Sequence, residues 1–148
     1  MEQQQNAPRN IITKNFDLLE NIFVIVFASG TALLSFKIYS AKYMMWFGAA
    51  LLALIYLIKS FESPKNNFFD YIIYKFIWLG PVLVIFGIIS KLLFIPKSNL
   101  LLWIAFFISL IGAAGAYQLK FENKDFFAKR DYIRIIVWII LSFLFAIL

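Results

Sequence analysis

The sequence predicts an all-α, polytopic integral membrane protein, and two observations support this prediction. The chain of 148 residues is 63% hydrophobic and 15% charged, whereas soluble domains are about 45–50% apolar and about 25% charged. In addition, no acidic residue lies between Asp70 and Glu122, where two long apolar runs are joined by a turn at residues 96–99. A water-soluble hairpin cannot hide apolar runs of this length, which are typical of membrane-crossing helices.

The domain organisation is simple. The polar residues 1–15 predict a flexible cytoplasmic tail, and residues 16–148 predict a single transmembrane helical domain. Five apolar runs predict helices over residues 21–39, 43–58, 71–95, 98–119 and 132–148. No Ala-x-Ala-type cleavage site follows the first run, so we expect the first helix to stay uncleaved.

The first two predicted helices form a tight antiparallel hairpin. Helix one consists mainly of apolar or small residues, in the stretch NIFVIVFASGTALLSF, and Lys37 lies near its far end. Helix two contains the apolar stretch YMMWFGAALLALIYLI. Crossing a membrane takes about 20 residues, and long basic side chains near a helix end can snorkel. Only Ser40, Ala41 and Lys42 link the two helices, which leaves no room for any arrangement other than a hairpin.

Helices three and four form the second hairpin. Helix three is long enough to tilt, and Gly80 and Pro81 interrupt it. A proline inside a helix frees the carbonyl four residues earlier, here that of Ile77, and kinks the helix. Such a kink is either a structural bend or part of a ligand site. Ser98 is placed to cap the start of helix four.

The fifth run is apolar up to Leu148 and follows the most charged stretch of the chain, residues 120–131. Phenylalanines alternate with charges in that stretch, which predicts an amphipathic surface segment. Two alternatives are open for helix five, a complete crossing or a half-inserted tail.

The distribution of lysine and arginine predicts the orientation. With the N-terminus inside, the inner segments hold Arg9, Lys14, Lys59, Lys65, Lys75, Lys120, Lys124, Lys129, Arg130 and Arg134. The outer side holds only Lys37, Lys42, Lys91 and Lys97. This excess predicts a protein of the bacterial inner membrane with a cytoplasmic N-terminus and an external C-terminus.

The two hairpins have a similar sequence pattern. Lys37 near the end of helix one is followed by Met44-Met45-Trp46, and Lys91 near the end of helix three is followed by Leu101-Leu102-Trp103. The pattern predicts two parallel hairpin repeats plus a C-terminal helix. The alternative is that two short apolar hairpins are alike without being repeats.

A short pattern of residues stands out within residues 84–115. It comprises Gly87, Lys91, Pro96 and the run Leu100-Leu101-Leu102. The pattern consists of a glycine, a lysine near a helix end, a short proline-containing turn and an apolar second helix. It resembles the transmembrane hairpin of the L subunit of the gliding-motility (type IX secretion) motor. That family has a membrane-embedded acid in its second helix, and helix four here has none, so the proton-motor activity is not implied.

Composition excludes several kinds of chemistry. The chain has no cysteine and no histidine, which excludes disulfides, thiolate nucleophiles, Ser-His-Asp catalysis and ordinary zinc sites. We therefore expect no catalytic residues, no metal and no cofactor, and hence not an enzyme. The formal net charge of +6 favours contact with the anionic headgroups of a lipid bilayer over binding to nucleic acid.

Several groups of residues are candidates for binding. Lys37, Lys75, Lys91 and Arg134 lie near helix ends and either snorkel or, for Lys37 and Lys91, contact anions or headgroups at a pore mouth. Small residues line one face of helix one at Ala28, Thr31, Ala32 and Ser35, and one face of helix four at Ala105, Ser109, Gly112, Ala113 and Ala116. Such faces pack within one bundle, or form an oligomer interface or a pore lining. Lys129 and Arg130 are candidates for docking a cytoplasmic partner.

Three functional hypotheses follow. The first is a non-enzymatic bundle that self-associates and acts as a pore or channel-like membrane effector. The second is an accessory subunit or binding module of a larger envelope complex, with a membrane or cytoplasmic protein as its partner. The third is a protein that handles lipids or small hydrophobic molecules through the kink at Pro81.

Overall fold

The computed structural model describes residues 15–62, 67–121, 127 and 129–148. The described chain is all-α, as predicted, and consists of helices and short links. The helices are α1 (Phe16–Ser35), α2 (Ala41–Phe61), α3 (Phe68–Leu92), α4 (Ser98–Phe121) and α5 (Lys129–Ile147). The predicted tail lies outside the described residues except for Asn15.

Helices α1, α3 and α5 begin a few residues earlier than the predicted starts at 21, 71 and 132. Each of them takes an acidic residue into its first turn, namely Asp17, Asp70 and Asp131. A carboxylate in the first turn is stabilised by the positive end of the helix dipole. The predicted starts at 71 and 132 therefore each fall three residues late (71 minus 68, 132 minus 129), and Asp70, which lies inside α3, is 2% exposed.

Helices α1 and α3 end earlier than the predicted ends at 39 and 95, because a residue in the left-handed region stops each of them. Lys37 has φ 64° and Phe94 has φ 55°. After α1, the Ile38 N–H donates to the Leu33 carbonyl at 3.1 Å; after α3, the Ile95 N–H donates to the Ser90 carbonyl at 2.8 Å. Both ends are Schellman motifs, which usually contain glycine at the left-handed position.

The described chain divides into two compact units, one ending at Ile55 and the other running from Tyr56 to Leu148. In the first unit, α1 and the first part of α2 approach closely at two glycines. A Cβ at Gly30 would lie 2.4 Å from the Met45 amide nitrogen, and a Cβ at Gly48 would lie 2.6 Å from the Phe27 amide nitrogen. These glycines let the two backbones meet almost directly.

In the second unit, α3 and α4 form the corresponding hairpin and α5 packs against both. A Cβ at Gly87 would lie 2.7 Å from Cδ2 of Leu102, and one at Gly80 would lie 2.4 Å from Oγ of Ser109. The Ser142 hydroxyl of α5 donates to the Leu102 carbonyl of α4 at 2.7 Å.

The two hairpins are built in the same register. Gly30 packs on Met45 and Gly87 packs on Leu102, and both pairs are separated by 57 positions (87 minus 30, 102 minus 45). The same shift relates the ends of α1 and α3 and the starts of α2 and α4. In this register Lys37 matches Phe94 rather than Lys91, so the predicted match of the two lysines is wrong, whereas Trp46 still matches Trp103.

Four of the five described helices, α1 to α4, are long and apolar enough to cross a membrane. Helix α5 is not among them, and its first two turns contain Lys129, Arg130, Asp131 and Arg134.

Candidate functional site

The most unusual group of side chains in the second unit is a buried cluster of aromatic rings around one arginine. We call it the aromatic–arginine cluster; its members are Tyr56 of α2, Tyr74 and Trp78 of α3, and Arg134 and Trp138 of α5. All five are at most 8% exposed. Helices α3 and α5 each contribute two residues four positions apart, which lie on one helix face. The side chains from α2, α3 and α5 meet in one cluster.

The aromatic rings of the cluster contact one another through polar and edge-to-face interactions. Trp138 Nε1 donates to the Tyr56 hydroxyl at 3.0 Å, and the two rings are T-shaped with centroids 6.0 Å apart. Tyr56 also lies 6.1 Å from the ring of Trp78. A buried indole N–H or phenol needs such a partner because an apolar surrounding offers no water.

Arg134 provides the charge of the cluster. Its guanidinium binds the Asp131 carboxylate one turn earlier in α5, and its central carbon lies 5.3 Å from the ring centroid of Trp78. Burying a charged side chain is costly unless it is paired, and the ion pair with Asp131 meets this need. Arg134 was expected to snorkel, but its side chain is 7% exposed.

The cluster could be found only in part from the sequence. Arginine three residues after aspartate on a helix indicates an ion pair, and Trp138 follows four residues after Arg134. The contributions of Tyr56 and Trp78 come from other helices, and no local pattern in the sequence indicates them.

Two lysines of α3 bind the C-terminal carbonyls of neighbouring helices. Lys75 Nζ donates to the Ser60 carbonyl in the last turn of α2 at 2.6 Å. Lys91 Nζ donates to the Phe145 carbonyl in the last turn of α5 at 2.7 Å and to Asn99 Oδ1 at 2.8 Å. A cation is favourable at the negative end of a helix dipole, so these lysines tie α3 to both helices.

The predicted pore-mouth lysines therefore have different surroundings. Lys91 is half-buried and contacts α5, whereas Lys37 is exposed at the turn after α1. A role of either lysine at a pore mouth stays a prediction.

The two small-residue faces also differ in burial, since the face on α4 is largely buried and the face on α1 is largely exposed. On α4, Ala105, Ser109, Gly112 and Ala116 are buried and Ala113 is half-buried. On α1, Ala28, Ala32 and Ser35 are exposed and Thr31 is half-buried. The hydroxyls of α1 bond back to their own helix, Thr31 to the Phe27 carbonyl at 2.8 Å and Ser35 to the Thr31 carbonyl at 3.1 Å.

The proline of α3 lies in a tightly packed place. Gly80 and Pro81 are both buried, and the Ser109 side chain fills the space next to Gly80. Whether Pro81 acts as a structural bend or as part of a ligand site stays a prediction.

The remaining candidates, Lys129 and Arg130, are exposed in the first turn of α5. Within the described residues, no group of three or more Asp, Glu, His or Cys side chains is arranged to hold a metal ion. The cluster can hold three helices together around a buried charge, and the first turn of α5 presents two exposed cations.

These features support one class of protein, a helical integral membrane protein. No protein-family model matches the chain, and no curated protein or solved structure matches it either.

Proposed function

We propose that the chain is a non-enzymatic membrane protein that acts as a homo-oligomer, and that the assembly forms a pore or channel-like passage. The observation that carries this proposal is the exposed small-residue face of α1. The alternatives of an accessory subunit and of a lipid-handling protein stay predictions.

Helix α1 is the least buried of the four candidate spans. Only 17% of its apolar window is buried, against 67% for α3. Its exposed Ala28 and Ala32 are four residues apart, a spacing that lets two helices approach closely within a membrane. A second copy that presents the same face would form a symmetric pair, the commonest form of self-association.

We also propose that α5 is a fifth crossing helix. Its last turn contacts Lys91 near the α3–α4 turn, and near its start the Tyr132 hydroxyl donates to the Ala116 carbonyl of α4 at 3.2 Å. Helix α5 therefore follows the α3–α4 hairpin along most of its length. Its 19 residues rise about 28 Å, close to the hydrocarbon thickness of about 30 Å.

The proposed orientation places the N-terminus in the bacterial cytoplasm and the C-terminus outside, and it rests on the distribution of lysine and arginine. In this orientation Lys37 lies on the outer side, beside the last turn of α1 and its proposed interface. Lys37 is then placed to contact anions at the mouth of a passage.

The test is the mass of the detergent-solubilised protein, corrected for bound detergent, across a dilution series. We expect a discrete oligomer that Ala32→Leu shifts to monomer, because a large side chain separates the two α1 helices. Ala50→Leu, at an exposed alanine of α2, is the matched control and should leave the mass unchanged. A wild-type monomer at every concentration would rule out the proposal.

If the oligomer is found, ion flux into liposomes tests the passage. Lys37→Glu should shift selectivity from anions towards cations. Unchanged selectivity in a conducting assembly would remove Lys37 from the pathway.

A further inference from the structure

Four aromatic rings lie together on the surface where α4 and α5 meet, and none of them belongs to the aromatic–arginine cluster. We call this group the surface aromatic patch; its members are Trp103, Phe106 and Phe107 of α4 and Phe143 of α5. The Trp103 ring contacts the other three, with centroids 5.7–6.2 Å apart. Phe107 is 55% exposed and Phe143 is 41% exposed. The patch is therefore open to a ligand from outside the bundle.

Polar side chains lie at the end of the patch nearest the α3–α4 turn. Asn99 is four residues before Trp103 on the same face of α4, about 6 Å away along the helix axis. A helical side chain leans towards the N-terminus of its helix, so the Trp103 ring leans towards Asn99. Lys91 Nζ donates to Asn99 Oδ1 on α4 and to the Phe145 carbonyl on α5, two residues after Phe143. Lys91 therefore joins the same two helices as the rings, about one turn closer to the α3–α4 turn.

Both polar side chains have donors beyond these two contacts. An ammonium has three N–H groups and a primary amide has two. Lys91 uses two of its three, and Asn99 takes part only through its oxygen. Asp70 of α3 and Asp131 of α5 lie in the first turns of their helices, about 30 Å and about 20 Å along the axis from this end. The polar end of the patch is therefore complementary to an atom that accepts hydrogen bonds.

Apolar side chains continue from the rings in the direction away from Lys91. On α4, Ile111 follows Phe107 by four residues, and on α5, Ile140 and Ile136 precede Phe143 by three and seven residues. These three isoleucines are 51–54% exposed. Positions spaced in this way lie on one face of each helix. A ligand whose ring lies on the patch can therefore extend an apolar tail along α4 and α5.

The order of donors, aromatic rings and aliphatic side chains matches a ring carbonyl, a flat ring and an isoprenoid tail. Contacts between rings gain energy from offset-stacked or edge-to-face geometry, which an acyl chain cannot use. Sites for anionic lipid headgroups usually gather several basic residues. Here one ammonium, already bound to two oxygens, is accompanied by a neutral amide. This chemistry fits a quinone better than a phospholipid.

The first hairpin has the tryptophan of the patch without its partners. Trp46 matches Trp103 in the register of 57 positions, but aliphatic and charged residues stand where the second hairpin has the other components. The positions 57 residues before Lys91, Asn99, Phe106 and Phe107 are Leu34, Lys42, Ala49 and Ala50. The combination of rings and neutral donor is therefore not required by the hairpin geometry, and the first hairpin offers matched control positions.

We propose that the surface aromatic patch binds an isoprenoid quinone. A ring carbonyl accepts from Lys91 and Asn99, the quinone ring lies on Trp103 and Phe107, and the tail follows α4 and α5. This inference goes beyond the proposed function, and it depends neither on self-association nor on a passage.

The experiment is a tryptophan-fluorescence titration of the full chain in detergent with menaquinone-4, because a quinone quenches an indole that it contacts. We expect quenching that saturates, in addition to the linear quenching by quinone dissolved in the micelles. Trp103→Phe should remove the saturable part. Trp46→Phe, at the matching position of the first hairpin, should keep it.

Asn99→Leu tests the polar end of the patch in the same titration. It should raise the Kd for menaquinone-4 about fivefold, as expected for the loss of one hydrogen bond. Lys42→Leu is the matched control, since Lys42 and Asn99 are both exposed second residues of their helices, and it should leave the Kd unchanged. Equal changes in the two variants would exclude a specific contact with Asn99.

Four further outcomes would overturn the proposal. Linear quenching alone in the wild type would show that no quinone site exists, and saturable quenching that persists in Trp103→Phe would place the site elsewhere. Displacement of the quinone by phosphatidylglycerol, but not by phosphatidylcholine, would assign the patch to an anionic phospholipid. If Trp103→Phe lowers the mass of the solubilised assembly, the patch is an interface between copies of the chain.

Discussion

The α1–α2 and α3–α4 hairpins share a Schellman turn and a glycine contact in the same register, but their first helices are buried to very different degrees. In α1, 17% of the apolar window is buried, and in α3, 67%. Helix α3 has neighbours on several sides: Ser60 of α2 contacts Lys75, Gly80 lies against α4, and Phe145 of α5 contacts Lys91.

The comparison shows that the hairpin geometry does not depend on burial. Local sequence and close contacts at glycines build each hairpin, and the surroundings determine whether its outer faces are buried or exposed. On α4, the small residues are buried, and Ser109 and Gly112 among them contact α3, whereas on α1 a similar face is exposed. The same type of sequence therefore has a packing role in one hairpin and is available for association in the other.

The largest expected effect tests the glycine contact of the first hairpin. In Gly30→Ala the new Cβ would lie 2.4 Å from the Met45 nitrogen and 2.7 Å from its Cα, so the helices must separate. We expect a loss of about 3 kcal/mol in the free energy of unfolding, which exceeds the gain in helix propensity of about 1 kcal/mol. Unfolding in dodecyl sulfate, followed by tryptophan fluorescence, measures it.

Gly87→Ala in the second hairpin is the matched variant. There the new Cβ meets Cδ2 and Cγ of Leu102, which are side-chain atoms that can move. We expect a loss of about 1 kcal/mol. Equal losses in the two variants would mean that the two contacts do not differ as the structure indicates.

The second prediction concerns the lysines near the two turns. Lys91→Met removes the bonds to Phe145 and Asn99, and hydrogen bonds from a charged group contribute about 2 kcal/mol. Lys37→Met, at an exposed position of the first hairpin, should change stability by less than about 0.5 kcal/mol. The same unfolding assay distinguishes them, and a larger effect at Lys37 would contradict the difference in their surroundings.

The sequence predicted the helices well because polar residues separate the apolar runs from one another, and it predicted both hairpins because their links are short. The helix ends were predicted less well. The acids Asp17, Asp70 and Asp131 belong to first turns because of the helix dipole, which apolar content alone does not show. Lys37 and Phe94 adopt a conformation usually left to glycine, so no residue type marks these stops.

The candidate site depended on contacts between distant residues. The aromatic–arginine cluster joins Tyr56 to Trp138, which are 82 positions apart, and no spacing rule connects them. The small-residue faces were identified from helical spacing, but spacing cannot tell which face is covered. Only the packing of α3 on α4 shows that Ser109 and Gly112 are used inside the hairpin.

The third prediction tests whether the two turns store the same strain. Lys37 and Phe94 both have a left-handed backbone conformation, which is unfavourable by about 1 kcal/mol for a residue with a Cβ atom. Lys37→Gly and Phe94→Gly should therefore each raise the free energy of unfolding by about 1 kcal/mol. Phe36→Gly is the control, since Phe36 has φ −81° and glycine should there cost about 0.5 kcal/mol. A gain in only one hairpin would show that the turns are not equivalent.

The smallest expected effect concerns the serine at the helix crossing of the second hairpin. Ser109 is 1% exposed, and within the described residues its hydroxyl has no hydrogen-bond partner. The matching position of the first hairpin, 57 residues earlier (109 minus 57), is Leu52, which is fully buried, so the hairpin geometry does not need a hydroxyl there. Ser109→Ala should therefore stabilise the chain by about 0.5 kcal/mol, since an unsatisfied buried hydroxyl is costly.

Ser142→Ala is the matched control, and it should destabilise the chain by about 1 kcal/mol because the Ser142 hydroxyl donates to the Leu102 carbonyl. Opposite signs in the unfolding assay would confirm that two buried serines in one unit differ in their partners. A loss on Ser109→Ala would show that the hydroxyl is bonded at the α3–α4 crossing, and the two hairpins would then differ in chemistry as well as in burial.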